Sequence, residues 1–256
     1  MGYIDSHAHL FSERLLADLP NIMAAIKGND VERVMLICCG EEDYVLAKAH
    51  QDKYPGYDIA KGIHPEEAND YRVGDLDILR KQLDEKRIVM IGEIGLDYHW
   101  DKSSKASQKE IFRQHIRMAK KLDLPIVIHN REATEDLIKI LKEEEAEAVG
   151  GVMHCFSGSI ETAKQCIEMN FYISIAGPVT FKNAKKLKEV ATFVPIERLL
   201  IETDCPYLTP HPFRGTRNEP AYVRYVAEEI ARIRQIPIEV FAQTTTANAK
   251  RLFRIK

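Results

Sequence analysis

Residues 89–129 read VMIGEIGLDYHWDKSSKASQKEIFRQHIRMAKKLDLPIVIH. Two short apolar runs, Val89–Glu93 and Pro125–His129, flank a polar turn and a stretch with helical periodicity. Over Gln108–Leu122 the apolar residues Ile111, Phe112, Ile116, Ala119 and Leu122 recur at helical spacing, which makes one buried stripe. Strand, helix, strand is the unit of a parallel α/β sheet. The same alternation extends outward in both directions, with further strand candidates at Tyr3–Ser6, Arg33–Cys39, Tyr57–Gly62, Gly151–His154, Phe171–Ala176 and Leu199–Glu202. Eight strand–helix units predict a closed (β/α)8 barrel, and 256 residues match the length of about 250 typical of one such domain. An open doubly wound sheet would carry a glycine-rich nucleotide turn after its first strand, and none follows here. No Gly/Ser linker, low-complexity tract or repeat divides the chain, so residues 1–256 read as a single domain. An extra C-terminal helix, Ile238–Phe253, follows the eighth unit and is expected to cap an end of the barrel.

Composition bounds the function. Hydrophobic content of 45% with 29% charged residues is that of a soluble globular protein. A net charge of −3 provides no general basic surface, which argues against coating duplex nucleic acid but leaves room for a local basic pocket. Five cysteines (Cys38, Cys39, Cys155, Cys166 and Cys205) are odd in number and scattered, so they make no disulfide framework. No run approaches the roughly 18 apolar residues of a membrane span, and no leader-like segment stands at the start. A reduced, cytoplasmic protein with no membrane association and no obligate protein partner is the expectation.

The strand ends carry the chemistry. Strand one runs into His7-Ala8-His9, and residues two apart on a strand share a face. Strand four ends at Glu93, strand five at His129, strand six at His154 and strand eight at Asp204. All six lie on the face where barrel enzymes build their sites. Singly, each reads as an ordinary hydrogen-bonding residue; together, at five strand ends of one face, they read as a metal centre. Four imidazoles and two carboxylates are too many for one tetrahedral zinc with an open position. They suit two divalent cations about 3.5–4 Å apart that share a carboxylate and activate water. The nitrogen and oxygen donors fit Zn²⁺ or Mn²⁺, and Mg²⁺ less comfortably. Cys155 and Cys205 adjoin these positions, but period-two alternation turns them away, so no thiol is called for.

The motifs DSHAHL (5–10), GIHP (62–65), IGEIGLDYH (91–99), LPIVIHNREA (124–133), HCFSGS (154–159), ETDCPYLTP (202–210), RGTRNEP (214–220) and TTTANAKRLF (244–253) occur in an order that resembles the TatD family along essentially the whole chain. The resemblance implies a TIM barrel and a metal-dependent hydrolase of the amidohydrolase superfamily. It further implies a deoxyribonuclease, often acting from 3′ ends. Carried over by motif, His7, His9, Glu93 and Asp204 would hold one cation, and Glu93, His129 and His154 the other, with Glu93 bridging.

Around that centre, Asp204 reads as the general base or the group that orients the attacking water. Glu202, two residues earlier, is expected to hydrogen-bond a ligand. His64 either contacts substrate phosphate or holds its turn. Arg131 and Arg214 can fork onto phosphate, whereas Arg217 reads equally as a solvated charge. Asn218 is expected to cap a helix spanning Tyr222–Arg234. Tyr98 and His99 would shape the pocket or stack on a base. The predicted activity is 3′-to-5′ cleavage of DNA phosphodiesters at single-stranded or frayed ends. The alternative on the same site is hydrolysis of a carboxyl ester, an amide or an aminoacyl-tRNA.

Overall fold

In the computed structural model, which describes residues 2–71, 73–83, 85, 87–100 and 102–255, eight strands pair in parallel and in chain order. They are β1 (Tyr3–Ala8), β2 (Val31–Cys38), β3 (Tyr57–Lys61), β4 (Ile88–Asp97), β5 (Ile126–Arg131), β6 (Gly151–Met153), β7 (Phe171–Ile175) and β8 (Leu199–Ile201). A parallel bridge between Ala8 and Cys205 brings the last strand back to the first, and a TIM barrel results. Side chains stitch that seam. The buried Asp5 carboxylate accepts from the Thr203 amide (2.9 Å) and hydroxyl (2.5 Å), and Ser6 Oγ donates to the Ile201 carbonyl (3.0 Å). Burial drives the Asp5 pKa up to about 8 despite these donors.

The barrel interior is filled near the strand starts by Ile4, Met35, Met90, Val127, Val152, Tyr172 and Leu200, which pack against Ala249, Leu252 and Phe253 of the Ile238–Phe253 helix. That helix closes the end opposite the strand C-termini. Leu252 and Phe253 are each worth roughly 2 kcal/mol for leaving water. Its polar residues complete the plug: Thr246 donates to the Gly2 carbonyl (2.9 Å), and Asn248 to the carbonyls of Ile196 (2.7 Å) and Leu199 (2.9 Å). The TTTANAKRLF motif is therefore explained as a barrel cap.

Most strand boundaries differ from the expected ones by one or two residues, but β4 runs four residues past the predicted end at Glu93. Gly92 and Gly95 interrupt the alternation of side chains that marks a strand in sequence. In three dimensions they let β4 press against β5: Gly95 pairs with His129, and a Cβ on Gly95 would lie 2.0 Å from the His129 carbonyl oxygen. The following helix, Lys105–Leu122, starts three residues before the predicted Gln108, because Ser104 Oγ accepts from the Ser107 amide (3.1 Å) as an N-cap. Its buried Gln108 bonds both sides of the Asp97 peptide, at 2.9 and 2.8 Å. Among the described residues no helix is long and apolar enough to cross a membrane.

Candidate metal centre

Glu93 is the hub of a buried cluster at the C-terminal end of the barrel. Its Oε2 lies 3.3 Å from His7 Nε2 and 3.6 Å from His9 Nε2. Its Oε1 lies 2.8 Å from His129 Nδ1, 3.0 Å from His154 Nε2 and 3.5 Å from His64 Nε2. Asp204 completes the first group, with Oδ1 3.5 Å from His9 Nε2 and 3.7 Å from His7 Nε2. His7 and His9 turn Nε2 atoms toward each other at 3.3 Å, and the His7 ring stacks on His154 with centroids 3.7 Å apart. The two oxygens of one carboxylate thus face two separate sets of donors. His9, His129, His64 and Asp204 keep 22%, 17%, 15% and 14% of their side-chain exposure, so the cluster opens to solvent along their edges.

These residues fit divalent cations. Donors around a tetrahedral ion at 2.0–2.2 Å stand about 3.4 Å from one another, and most of the spacings here lie close to that value. The charge balance points the same way. Burial raises the Glu93 pKa, but His154, His7, His64 and His129 overcome it and hold the carboxyl well below its usual range. Burial likewise opposes charge on His154 and His129. Glu93 and Glu202 nevertheless push His154 well up, and hydrogen bonds to Asp97 and Glu93 raise His129 to about 9. His7 goes the other way, lowered by burial and by His154. Asp204 is lowered despite burial by its bond to His9 and by the other imidazoles. The carboxylates demand positive charge, which protonated imidazoles supply here and which a cation, accepting lone pairs from the imidazoles and carboxylates, would supply in their place.

The family model described as TatD related DNase matches residues 4–254. This chain belongs to the TatD family. It is 54% identical to YabD of Bacillus subtilis (strain 168), over 98% of each protein, and 39% identical to YcfH of Escherichia coli (strain K12), over 100% of this chain and 97% of that one. Both are described as uncharacterized metal-dependent hydrolases. The crystal structure of the TatD homologue YJJV from Escherichia coli K12 superposes with a TM-score of 0.93 at 26% identity, covering 99% of this chain and 98% of that one. The protein is a metal-dependent hydrolase of this family.

Within the TatD chain, buried acids orient the histidines. His129 Nε2 meets Asp97 Oδ2 at 2.8 Å, which leaves Nδ1 for Glu93 and a cation. Burial raises the Asp97 pKa, but His129 and the amides of Trp100 and His99 bring it down to about 2. Sequence reading missed Asp97. The available signal was its place four residues after Glu93, on the same face of a longer β4. Glu202 Oε1 faces His154 Nδ1 at 3.2 Å and accepts from the Cys155 amide at 2.6 Å. Its Oε2 is buried without a partner among the described residues. Asp97→Asn should keep the bonds from the His99 and Trp100 amides yet turn an amide toward His129 Nε2. The imidazole would then carry its proton on Nδ1, aimed at the centre. Metal affinity measured by competition with a chromogenic chelator should drop roughly 10–100-fold; an unchanged affinity would show that Asp97 does not set the tautomer.

The outlying residues divide. His64 does two things: Nδ1 accepts from the Glu66 amide (3.3 Å) while Nε2 faces Glu93. Arg131 is exposed at the end of β5 with its guanidinium 5.3 Å from the Trp100 ring centroid. Arg214 lies over Phe181 (4.3 Å), and no contact joins it to the cluster among the described residues. Tyr98 is not brought to the site: its hydroxyl donates to Asp136 (2.7 Å) and Lys105 covers its ring. His99 is turned to Glu132 (2.7 Å), and the exposed aromatic of that loop is Trp100. Arg217 binds Asp18 (2.6 Å). Asn218 caps no helix. It is buried, and its Nδ2 donates to the carbonyls of Thr203 (2.8 Å) and Tyr207 (2.6 Å), tying the loop that holds Asp204; a short 3-10 turn, Pro220–Tyr222, leads instead into the Val223–Arg234 helix.

Proposed function

We propose that this protein is a deoxyribonuclease that trims unpaired 3′ ends by hydrolysing phosphodiesters at a two-cation centre. The observation that carries the reading is the division of Glu93: Oε2 faces His7 and His9 beside Asp204, and Oε1 faces His129 and His154. When bound, two divalent cations supply Lewis-acid polarisation of phosphoryl oxygens and a lowered pKa for the attacking water. The chain supplies the rest. Asp204, on the solvent side, orients that water and takes its proton. Asp97 and Glu202 keep His129 and His154 in the orientations that present ring nitrogens inward. His64 Nε2, beside Glu93, and the exposed Arg131 at the end of β5 are the groups that would meet a phosphate. The absence of a general basic surface favours a strand end over a gripped duplex.

The test is an assay of the metal-loaded protein on 3′- and 5′-labelled single strands, duplexes, closed circles and a panel of carboxyl esters. The expected result is progressive shortening from the 3′ end, strongest on single strands and abolished by a strong chelator. Comparable cleavage of closed circles would refute the dependence on ends. Inertness toward DNA with rapid ester hydrolysis would replace the nuclease by a carboxyl-ester hydrolase, and full turnover in a metal-free sample would remove the metal mechanism.

A further inference from the structure

Strand β2 contributes nothing to the nitrogen and oxygen donors, yet its end reaches the same centre. Cys38, the last residue of β2, is buried in the outer core between the barrel and its helices. Alternation sends the next residue inward, and Cys39 packs against the cluster that fills the barrel. Its sulfur, a ring nitrogen of His9 and a carboxylate oxygen of Glu93 all lie within 4.8 Å of one another. Neither Cys155 nor Cys205, although adjacent in sequence to His154 and Asp204, joins such a group among the described residues. His9 and Glu93 also belong to a larger donor set with His7 and Asp204, in which His7 Nε2, His9 Nε2, Glu93 Oε2 and Asp204 Oδ1 stand 3.3–3.7 Å from their neighbours.

We propose that Cys39 is a sulfur donor to the cation held beside His9 and Glu93, and that it biases this position toward zinc-like ions over magnesium. The inference rests on the metal-centre reading above and adds a ligand that the histidine and carboxylate motifs do not contain. As the sulfur–metal bond forms, the S–H bond breaks heterolytically and the proton leaves to solvent, so no oxidant or reductant is involved. Thiolate prefers borderline-soft ions such as Zn²⁺ and Co²⁺, whereas Mg²⁺ prefers oxygen and a hydrated octahedral shell. Sulfur and nitrogen donors on one tetrahedral ion stand about 3.6 Å apart, and the Cys39 sulfur lies within 4.8 Å of the donor atoms of His9 and Glu93.

Cobalt tests this without reference to turnover. Metal-free full-length protein is titrated with Co²⁺, whose visible d–d bands report binding and whose near-ultraviolet sulfur-to-cobalt charge-transfer band reports thiolate ligation. The wild type should show both. Cys39→Ser should keep the visible bands and lose the charge-transfer band, while Cys155→Ser and Cys205→Ser keep it. Zinc affinity should fall at least about tenfold in Cys39→Ser with magnesium affinity unchanged. Visible bands without a charge-transfer band in the wild type, or a band that survives Cys39→Ser, would overturn the sulfur ligand and leave the metal centre standing. Failure of cobalt to bind at all would overturn both.

Discussion

Glu93→Gln should lose metal from both donor groups at once and lose turnover by far more than about 100-fold, beyond what an outer partner of a ligand contributes. One carboxylate serves both groups, with Oε2 toward His7 and His9 and Oε1 toward His129 and His154. The amide is nearly isosteric, so the effect isolates charge. His9→Asn should empty mainly the Asp204 side, and His154→Asn mainly the other, as read by metal analysis after dialysis. Two tightly held ions in Glu93→Gln would show that the bridge is misassigned.

The same variant has a pH signature in the metal-free protein. His129 titrates at about 9 because Asp97 and Glu93 together outweigh its burial. A raised imidazole pKa contributes stability that is fully present below the unfolded value near 6.5 and is lost as pH rises through about 9. Metal-free Glu93→Gln should therefore be less stable than wild type at pH 6, by roughly 2 kcal/mol for a lost charged hydrogen bond. The gap should narrow as pH rises through about 9, where His129 loses its proton and with it the charged hydrogen bond to Glu93. Urea unfolding at pH 6 and pH 9.5 reads the difference, and a gap that widens at high pH would contradict it.

Asp204→Asn should lower turnover roughly 10²–10⁴-fold, the range for a lost general base, with folding retained. Asp204 reaches the cluster from a left-handed backbone turn just past β8, at φ 55°, a conformation that aspartate and asparagine tolerate better than most residues. Its amide donates to the His7 carbonyl (3.0 Å), so the backbone holds the side chain in place whichever group it ends in. Metal at the His129–His154 group should remain while the His7–His9 group weakens. Near-normal turnover on labelled DNA would exclude Asp204 from the proton transfer.

Sequence period alone was enough to order the strands and to place a histidine or carboxylate at the ends of five of them. His7 and His9 illustrate why: two residues apart on an extended chain share a face, and in the structure their Nε2 atoms stand 3.3 Å apart. The Ile238–Phe253 helix was legible to the residue, because apolar positions at helical spacing report a buried stripe directly. The length of β4 was not. The strand read from sequence stops at Glu93, ahead of Gly95, which leaves Asp97 in a loop and outside the predicted site.

What only the tertiary structure decided is which faces meet. Tyr98 and Trp100 are both aromatic residues of one loop, and nothing local tells that Asp136 draws Tyr98 away while Trp100 stays exposed beside Arg131. Cys38 and Cys39 are identical neighbours, yet one packs under the helices and the other looks toward His9 and Glu93. Asn218 carries the signature of a cap, but the loop after β8 folds back so that the Thr203 and Tyr207 carbonyls come within its reach and it bonds those instead. Periodicity is a property of neighbours along the chain, so the sequence by itself determined the strands, the helices and the face each strand end presents. The distances among Glu93, four histidines and Asp204 depend on strands far apart in sequence curving into one closed ring, and that closure belongs to the tertiary structure alone.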